Sequence, residues 1–267
     1  MNTTPPAPVH VSFILKLSFG IFLPGLALTT YWMSSGHLVT VSNDHSVTTC
    51  APRGDHITVT LPDNSTADLN SKSCLTANFS STQRLVDLTG EAIFTVAHDP
   101  RRPFIVEVGR LRAQALGTRY DVHKREHDTR VSVLEGTVQV SAPGIPTQSL
   151  AALHEIDVPD EINEASALRR INPDDINQRT SWIAGQLVFE NQPVGDTLAE
   201  FGRYQDLSVQ STDPQILNLR FSGSFKTNEV GNYLKILRTK CIRADLDLSK
   251  PVVKLSVITG KRAGDRC

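Results

Sequence analysis

The chain has 267 residues, with 27 Lys and Arg against 28 Asp and Glu, a formal net charge of −1 and a pI near 6.7. That length accommodates two modest domains, each able to bury a core, and the near-neutral charge gives no electrostatic pull toward nucleic acid or an anionic lipid surface. Cys50, Cys74, Cys241 and Cys267 show no C-x-x-C spacing, which argues against a zinc centre or a thioredoxin-like redox motif.

The first element is apolar. Leu17 to Met33 carries no charge and, at about 1.5 Å per residue, spans roughly 25 Å as a helix. Extended back to Val11, with Lys16 snorkelling to the interface, it is long enough for a bilayer. The sequence therefore predicts a single transmembrane helix over residues 17–36, with Tyr31 and Trp32 at the far interface and Pro24 tolerated inside. Lys16 and the amino terminus precede it, and the first Lys or Arg after it is Arg53. Residues 1–16 are thus expected as a short cytoplasmic tail, and the chain from His37 onward on the far side of the membrane. A cleaved secretory signal has the same layout, but no A-x-A-like site follows cleanly.

Residues 37–160 read as one β domain. Ile57 to Leu61 alternates, Pro62-Asp-Asn-Ser65 is a turn cluster, and Thr66 to Leu69 completes a hairpin. Further short strands are expected at Leu85–Leu88, Ala92–Val96, Phe104–Val108, Leu111–Ala115, Arg119–Val122, Val131–Leu134 and Thr137–Val140. Many short, evenly spaced, alternating strands predict a mainly β fold, an antiparallel sandwich or roll. Cys50 and Cys74 flank the first strands; they either pair in an oxidising compartment or stay as two buried thiols. From Pro143 to about Asn177 periodicity fades, which suggests a connector with one or two final strands and a linker over residues 161–181.

The last domain, residues 182–260, changes character before a tail at 261–267. Leu187–Glu190 reads as a strand, Pro193 opens a helix carrying Val194, Leu198, Phe201 and Tyr204, and Leu207–Gln210 and Leu219–Ser222 are strands. A second helix aligns Val230, Tyr233, Leu234 and Leu237, and strands at Ile242–Leu248 and Val252–Ile258 close a small α+β domain of order βαβ-βαββ.

Several motifs invite chemical readings. His123-Lys-Arg-Glu-His127 matches H-x-x-E-H, but zinc chemistry needs both histidines on one helix face, and this copy falls between two strands. Arg53-Gly-Asp55 is read as a chance tripeptide at a strand entry. Asp245 and Asp247 share one strand face with no acid/base partner in view. Arg101 and Arg102, bracketed by Pro100 and Pro103, form an exposed turn or meet an anionic partner. Phe221, Ser222, Gly223, Ser224 and Phe225 are a candidate strand edge for a partner. No catalytic, cofactor-binding or metal-ligating set is expected, so the chain reads as a non-enzyme.

Taken together, Leu61-Pro-Asp-Asn-Ser65 with Leu69-Asn70, Gly90-Glu-Ala-Ile-Phe94, Asp99-Pro-Arg-Arg-Pro-Phe104, Ala115-Leu-Gly-Thr118 and Val133-Leu-Glu-Gly136 resemble the FecR family of inner-membrane sigma-factor regulators. Trp182, Gly185-Gln-Leu187, Phe189, Leu198 to Arg203, Asp213-Pro214 and Phe221-Ser-Gly223 resemble the small domain that follows the FecR core, similar in plan to secretin and TonB short N-terminal domains. The resemblance implies a single-pass inner-membrane protein with its bulk in the periplasm. It would relay occupancy of a TonB-dependent outer-membrane receptor of iron-siderophore type, through that receptor's signalling domain, to an extracytoplasmic-function sigma factor. Family members usually carry a helical cytoplasmic domain; here about 16 residues with Pro5, Pro6 and Pro8 precede the membrane segment. The sigma-side contact is therefore expected to be reduced or supplied by another chain. The alternative is an envelope binding module that reuses the FecR core without sigma-factor regulation.

Overall fold

The structure is a computed structural model that describes residues 29–32, 38–41, 46–161, 166–247 and 251–258. Two strands lead in, β1 (Thr29–Trp32) and β2 (Leu38–Val41), followed by β3 (Ser46–Cys50), β4 (Ile57–Thr60), β5 (Thr66–Leu69), β6 (Cys74–Phe79), β7 (Arg84–Thr89) and β8 (Glu91–Thr95). The series continues through β9 (Phe104–Val108), β10 (Leu111–Ala115), β11 (Arg119–Lys124), β12 (Asp128–Glu135) and β13 (Thr137–Ala142). β14 (Ile145–Ala151), β15 (His154–Pro159) and β16 (Ala167–Arg170) end the β domain.

These strands make two sheets, nine-stranded in the order β1-β2-β3-β6-β7-β9-β10-β13-β14 and seven-stranded in the order β16-β15-β12-β11-β8-β5-β4. Pairing is antiparallel except between β7 and β9. Alternation sets which residues meet between the sheets. Val86 and Leu88, Phe104 and Val106, and Val138 and Val140 of the first sheet pack against Leu69, Phe94, Tyr120, Val122, Val131, Val133 and Ile156 of the second.

The expected hairpin at Ile57–Leu61 and Thr66–Leu69 forms as β4–β5, and the strand expectations from Leu85 to Val140 fall on β7 to β13. Three strands, not one or two, follow Pro143. The stretch read as a linker contains β16 and α1 (Pro173–Thr180). A capping box starts that helix: the Asn172 side chain accepts from the Asp175 N–H, and the Asp175 carboxylate accepts from the Asn172 N–H.

The membrane segment expected over 17–36 falls largely outside the described residues, as do the tails at 1–16 and 261–267. Its Thr29–Trp32 portion is strand β1, paired antiparallel with β2, which extends the first sheet; it is not the last turn of a helix. Among the described residues no helix is long and apolar enough to cross a membrane.

A 3-10 turn at Ser181–Ala184 leads into the second domain: β17 (Gln186–Pro193), α2 (Val194–Tyr204), β18 (Ser208–Ser211), α3 (Pro214–Asn218), β19 (Arg220–Lys226), α4 (Val230–Arg238), β20 (Ile242–Asp247) and β21 (Val252–Val257). The order matches the expected βαβ-βαββ, with the short α3 added. β17 and β19 form a two-stranded sheet, and β18, β21 and β20 a three-stranded one in which β18 and β21 run parallel. The helical residues spaced in the sequence at 3.6 periodicity are the buried ones: Val194, Leu198, Phe201 and Tyr204 on α2, and Val230, Tyr233, Leu234 and Leu237 on α4. Phe189, Phe201, Phe221, Phe225 and Tyr233 form an aromatic cluster between them, with Phe221 and Tyr233 ring centroids 4.9 Å apart.

Candidate functional site

The outward face of the seven-stranded sheet carries two ionisable rows. Strand register places Asp68, Ile93, Asp121, Ser132, Glu155 and Arg169 side by side across it, and Glu91, His123, Arg130 and Asp157 in the neighbouring row. Alternation marks these as the non-core face. They are nevertheless largely shielded, because α1, the 3-10 turn and α2 lie over them. Glu155, with no exposed side-chain surface, accepts from the Ser132 hydroxyl at 2.5 Å, from Arg179 of α1 at 2.9 Å and from Arg169. Asp157 is clasped by Arg125, Arg130 and Arg169 at 2.9, 2.8 and 2.7 Å. Burial works against the Glu155 and Asp157 carboxylates, but the arginines outweigh it and hold both below the usual carboxylate range.

At the other end of the seam the last turn of α2 docks. Arg203 donates to Glu91, to Glu200 at 3.2 Å and toward His123 Nε2 at 3.1 Å, while its carbonyl accepts from the Ser71 hydroxyl at 2.7 Å. The Tyr204 hydroxyl donates to Asn70 Oδ1 at 2.7 Å, and the Asn70 amide donates to Glu91 at 2.6 Å. From the loop after β3, Arg53 donates to the carbonyls of Gly202 at 3.2 Å and Gln205 at 2.9 Å. Burial alone would lower the Arg203 guanidinium, but Glu200 and Glu91 raise it above its ordinary value. Glu91 is opposed by burial yet held low by Arg203, whereas burial pushes Glu200 up. Burial also pushes the His123 imidazole down to about 3, so the ring is neutral at physiological pH. Asp121 is buried with no partner for either carboxylate oxygen among the described residues, and desolvation, reinforced by Glu91, drives its carboxyl far up.

Between these contacts lies an open cleft of about 620 Å³. The β11–β12 hairpin and Glu91 form one wall, and Leu187, Val188 and Phe189 of β17, with Glu200 and Arg203 of α2, the other. The H-x-x-E-H pattern sits on the β11–β12 hairpin, with His123 turned to Glu91 and Arg203 and His127 87% exposed at the tip, so the two rings do not share a helix face. Asp245 pairs with Arg238 at 3.3 Å.

The structure separates the residues singled out as contacts. Arg102 folds back onto Asp99, its Nε 2.8 Å from Oδ2, while the Arg101 N–H donates to Asp99 Oδ1 at 3.1 Å and the Arg101 side chain is exposed. Phe221 and Phe225 point into the aromatic core, leaving Ser222 and Ser224 outward on β19, whose one pairing partner among the described strands is β17. Cys50 and Cys74 lie opposite each other on β3 and β6 and are joined by a disulfide. Sequence reasoning missed Arg84, which is fully buried. It contacts Asp63 at 2.6 Å and donates to the carbonyls of Ala97 and Arg102 at 2.8 Å, so it ties the Pro62–Ser65 turn to the Asp99–Phe104 turn. Its signal was parity: Arg84, Val86 and Leu88 share the inward face of β7.

Comparison with known proteins places this architecture. Two crystal structures of a protein described as a candidate anti-sigma factor from Parabacteroides distasonis ATCC 8503, at 1.65 and 2.50 Å, are similar to it with a TM-score of 0.68 each. Identities are 24% and 25%, over 79% and 78% of this chain and 98% of the other. No curated protein sequence matches. The family model described as FecR protein matches residues 47–139, β3 through the first half of β13, and the model described as FecR, C-terminal matches residues 186–240, β17 through α4. The turns knotted by Arg84 and the α2 turn docked on Glu91 thus belong to two matched modules of one lineage, and the chain is a member of the FecR family.

Proposed function

We propose that this chain is a signal-transduction protein that regulates a sigma factor through protein contacts, relaying the occupancy of a TonB-dependent outer-membrane receptor of iron-siderophore type. The carrying observation is the pairing of a FecR core with a docked FecR C-terminal module. The likeness to a candidate anti-sigma factor over most of both chains supports the same reading. A signal of this kind is a difference in binding free energy between two states of the protein and needs no reacting group.

In this reading an apolar leader anchors the chain in the inner membrane and the two domains lie in the periplasm. The Cys50–Cys74 disulfide supports that placement, because such bonds persist in oxidising compartments. Receptor contact uses the open edge of β19 from Phe221 to Phe225, where an added strand finds alternate backbone groups unpaired and Ser222 and Ser224 facing out. Arg101, exposed beside Arg102 on the Asp99–Phe104 turn, is a second candidate contact for an acidic surface.

The test is a capture experiment with the whole chain in detergent against the isolated signalling domains of every TonB-dependent receptor from the same cell, with a sigma-dependent reporter alongside. Binding of one domain, lost on Ser224→Pro, and a reporter response lost on deletion of this gene are expected. Failure with every receptor and an unchanged reporter would overturn the proposal and favour an envelope binding module.

A further inference from the structure

We infer that the C-terminal domain is a hinged arm, pivoting at Gly185 and held on the β core by an ionic latch at Arg203, so that the molecule has a docked and a released state. The inference goes beyond sigma-factor regulation and does not depend on it.

The two bodies have separate interiors. One apolar cluster lies between the β sheets and another inside the C-terminal domain; of the described buried β-core residues, Ile93 and Leu134 belong to the second cluster, together with Trp182. The His56 ring meets Trp182 edge-on at 6.1 Å and Ile176 of α1 packs against the same cluster; at the far end of the seam the contacts are polar: Arg203 on Glu91, Tyr204 on Asn70, the Ser71 hydroxyl on the Arg203 carbonyl, and Arg53 on the carbonyls of Gly202 and Gln205. Polar interfaces between domains of one chain are the kind that permit relative motion.

The contacts sit at two ends of the cleft. At one end α1 is fixed to the sheet by Arg179 on Glu155, and the chain then passes through Trp182 to Gly185. Gly185 has φ of +70°, a left-handed cap that glycine adopts at no steric cost, and a Cβ built there would meet nothing within 4 Å, so the space around this junction is open. At the other end is the turn from Glu200 to Asp206. The 620 Å³ cleft separates the two, and the arm therefore has a pivot, a gap and a clasp.

The clasp also has the energetics of a switch. A buried ion pair contributes little relative to apolar packing while it is intact, yet removal of one partner leaves a buried, uncompensated charge. Loss of Arg203 strands Glu91, which is 4% exposed and would keep the Asn70 amide and the neutral His123 ring but no cation. Water can reach Glu91 once the arm leaves, so this penalty falls on the docked state alone. Removing the clasp should shift the docked-to-released ratio by about 100- to 1,000-fold.

Spin labels at Glu135→Cys on β12 and Lys235→Cys on α4, both exposed positions, read the distance between the bodies in the full chain; none of the described cysteines is free to compete for label. A single narrow distance distribution is expected for the labelled parent and a longer, broader one for Arg203→Ala, with the far-ultraviolet dichroism unchanged. Arg53→Ala, at a half-exposed residue that leaves both cores intact, should shift the distribution the same way by a smaller fraction. An unchanged narrow distribution in both folded variants overturns the latch. Loss of helical signal in both would show that the arm requires the core to fold, which equally overturns a hinged arm.

Discussion

Arg84 is a charged side chain on the inward face of a sandwich, and its surroundings show why it is tolerated there. Asp63 balances its charge, the Arg102, Ala97 and Asp99 carbonyls accept from Nε, Nη1 and Nη2, and Phe104 lies beneath the guanidinium at 5.5 Å. Arg84→Leu would leave Asp63, 2% exposed, as a buried charge sustained by Ser65 alone, and should cost about 3–5 kcal/mol in urea unfolding. Arg84→Leu with Asp63→Leu should recover a large part of that loss, because no charge is then stranded. His123 and Asp121 make opposite predictions. A neutral buried imidazole with its folded value near 3 binds fewer protons than the unfolded chain between pH 6.5 and about 3. Stability should then fall on acidification through that window by up to about 1.4 kcal/mol per pH unit, and His123→Gln should flatten the slope. Asp121, with its folded value raised, lowers stability as pH rises above the ordinary carboxylate range. Asp121→Asn should therefore stabilise the protein, more at pH 8 than at pH 5, and an unchanged denaturation midpoint at both would refute the upward displacement of this carboxyl. Alternation in the strand expected at Arg119–Val122 made the outward parity of Asp121 legible, but not its burial, and Glu91, His123, Arg130 and Glu155 lie just outside the strands the pattern marked. A polar strand face looks the same whether water or a distant helix covers it, and Arg203 lies 112 residues from Glu91.

The elements that could be read in advance are those whose alternation is anchored by burial. β9 and β10 form over the residues the pattern marked, because their inward positions are almost all closed to solvent. β14 and β16 were not legible for the converse reason: Leu150 is the one buried residue of β14, and all four residues of β16 are exposed. Their strand character comes from pairing with β13 and β15 and leaves little mark in composition. Thr29–Trp32 shows the opposite conflict, the end of an uncharged stretch that fits a membrane helix and yet forms a paired strand. Turns impose stricter chemistry. Gly90, between β7 and β8, has φ of +86°, and a Cβ there would lie 2.4 Å from the Ser73 hydroxyl oxygen and 2.9 Å from the Ser73 Cα. That hydroxyl accepts from the Glu91 N–H at 2.9 Å, so it is not free to swing away. Gly90→Ala should therefore destabilise by more than the roughly 1 kcal/mol that φ alone would impose, and by less in combination with Ser73→Gly. Equal melting shifts in the single and double variants would assign the cost to backbone strain alone.

At the scale of the molecule, two interiors joined by a polar seam should behave as two cooperative units. Phe201 is the residue to separate them. It is fully buried within the aromatic cluster of the second domain, 5.3 Å from the Tyr233 ring, and belongs to that domain's apolar cluster rather than to the one between the sheets. Truncation to alanine removes most of a ring from a packed site, a loss of about 3–5 kcal/mol. Because α2 also carries Arg203 and Tyr204, loosening it weakens the clasp, but β7, β9 and β10 keep every apolar neighbour they have. Hydrogen exchange on the full chain should then show faster opening from β17 through β21 and around Asn70 and Ser71, with protection of β7, β9 and β10 unchanged. Uniform loss across both domains would mean that the seam transmits the whole of the destabilisation, and that the two cores unfold as one. The expected split follows from composition at the seam: Ile93 and Leu134 are too small an apolar contact to bind the two interiors into a single unit, whereas Arg203 and Glu91 hold position without adding much cohesion.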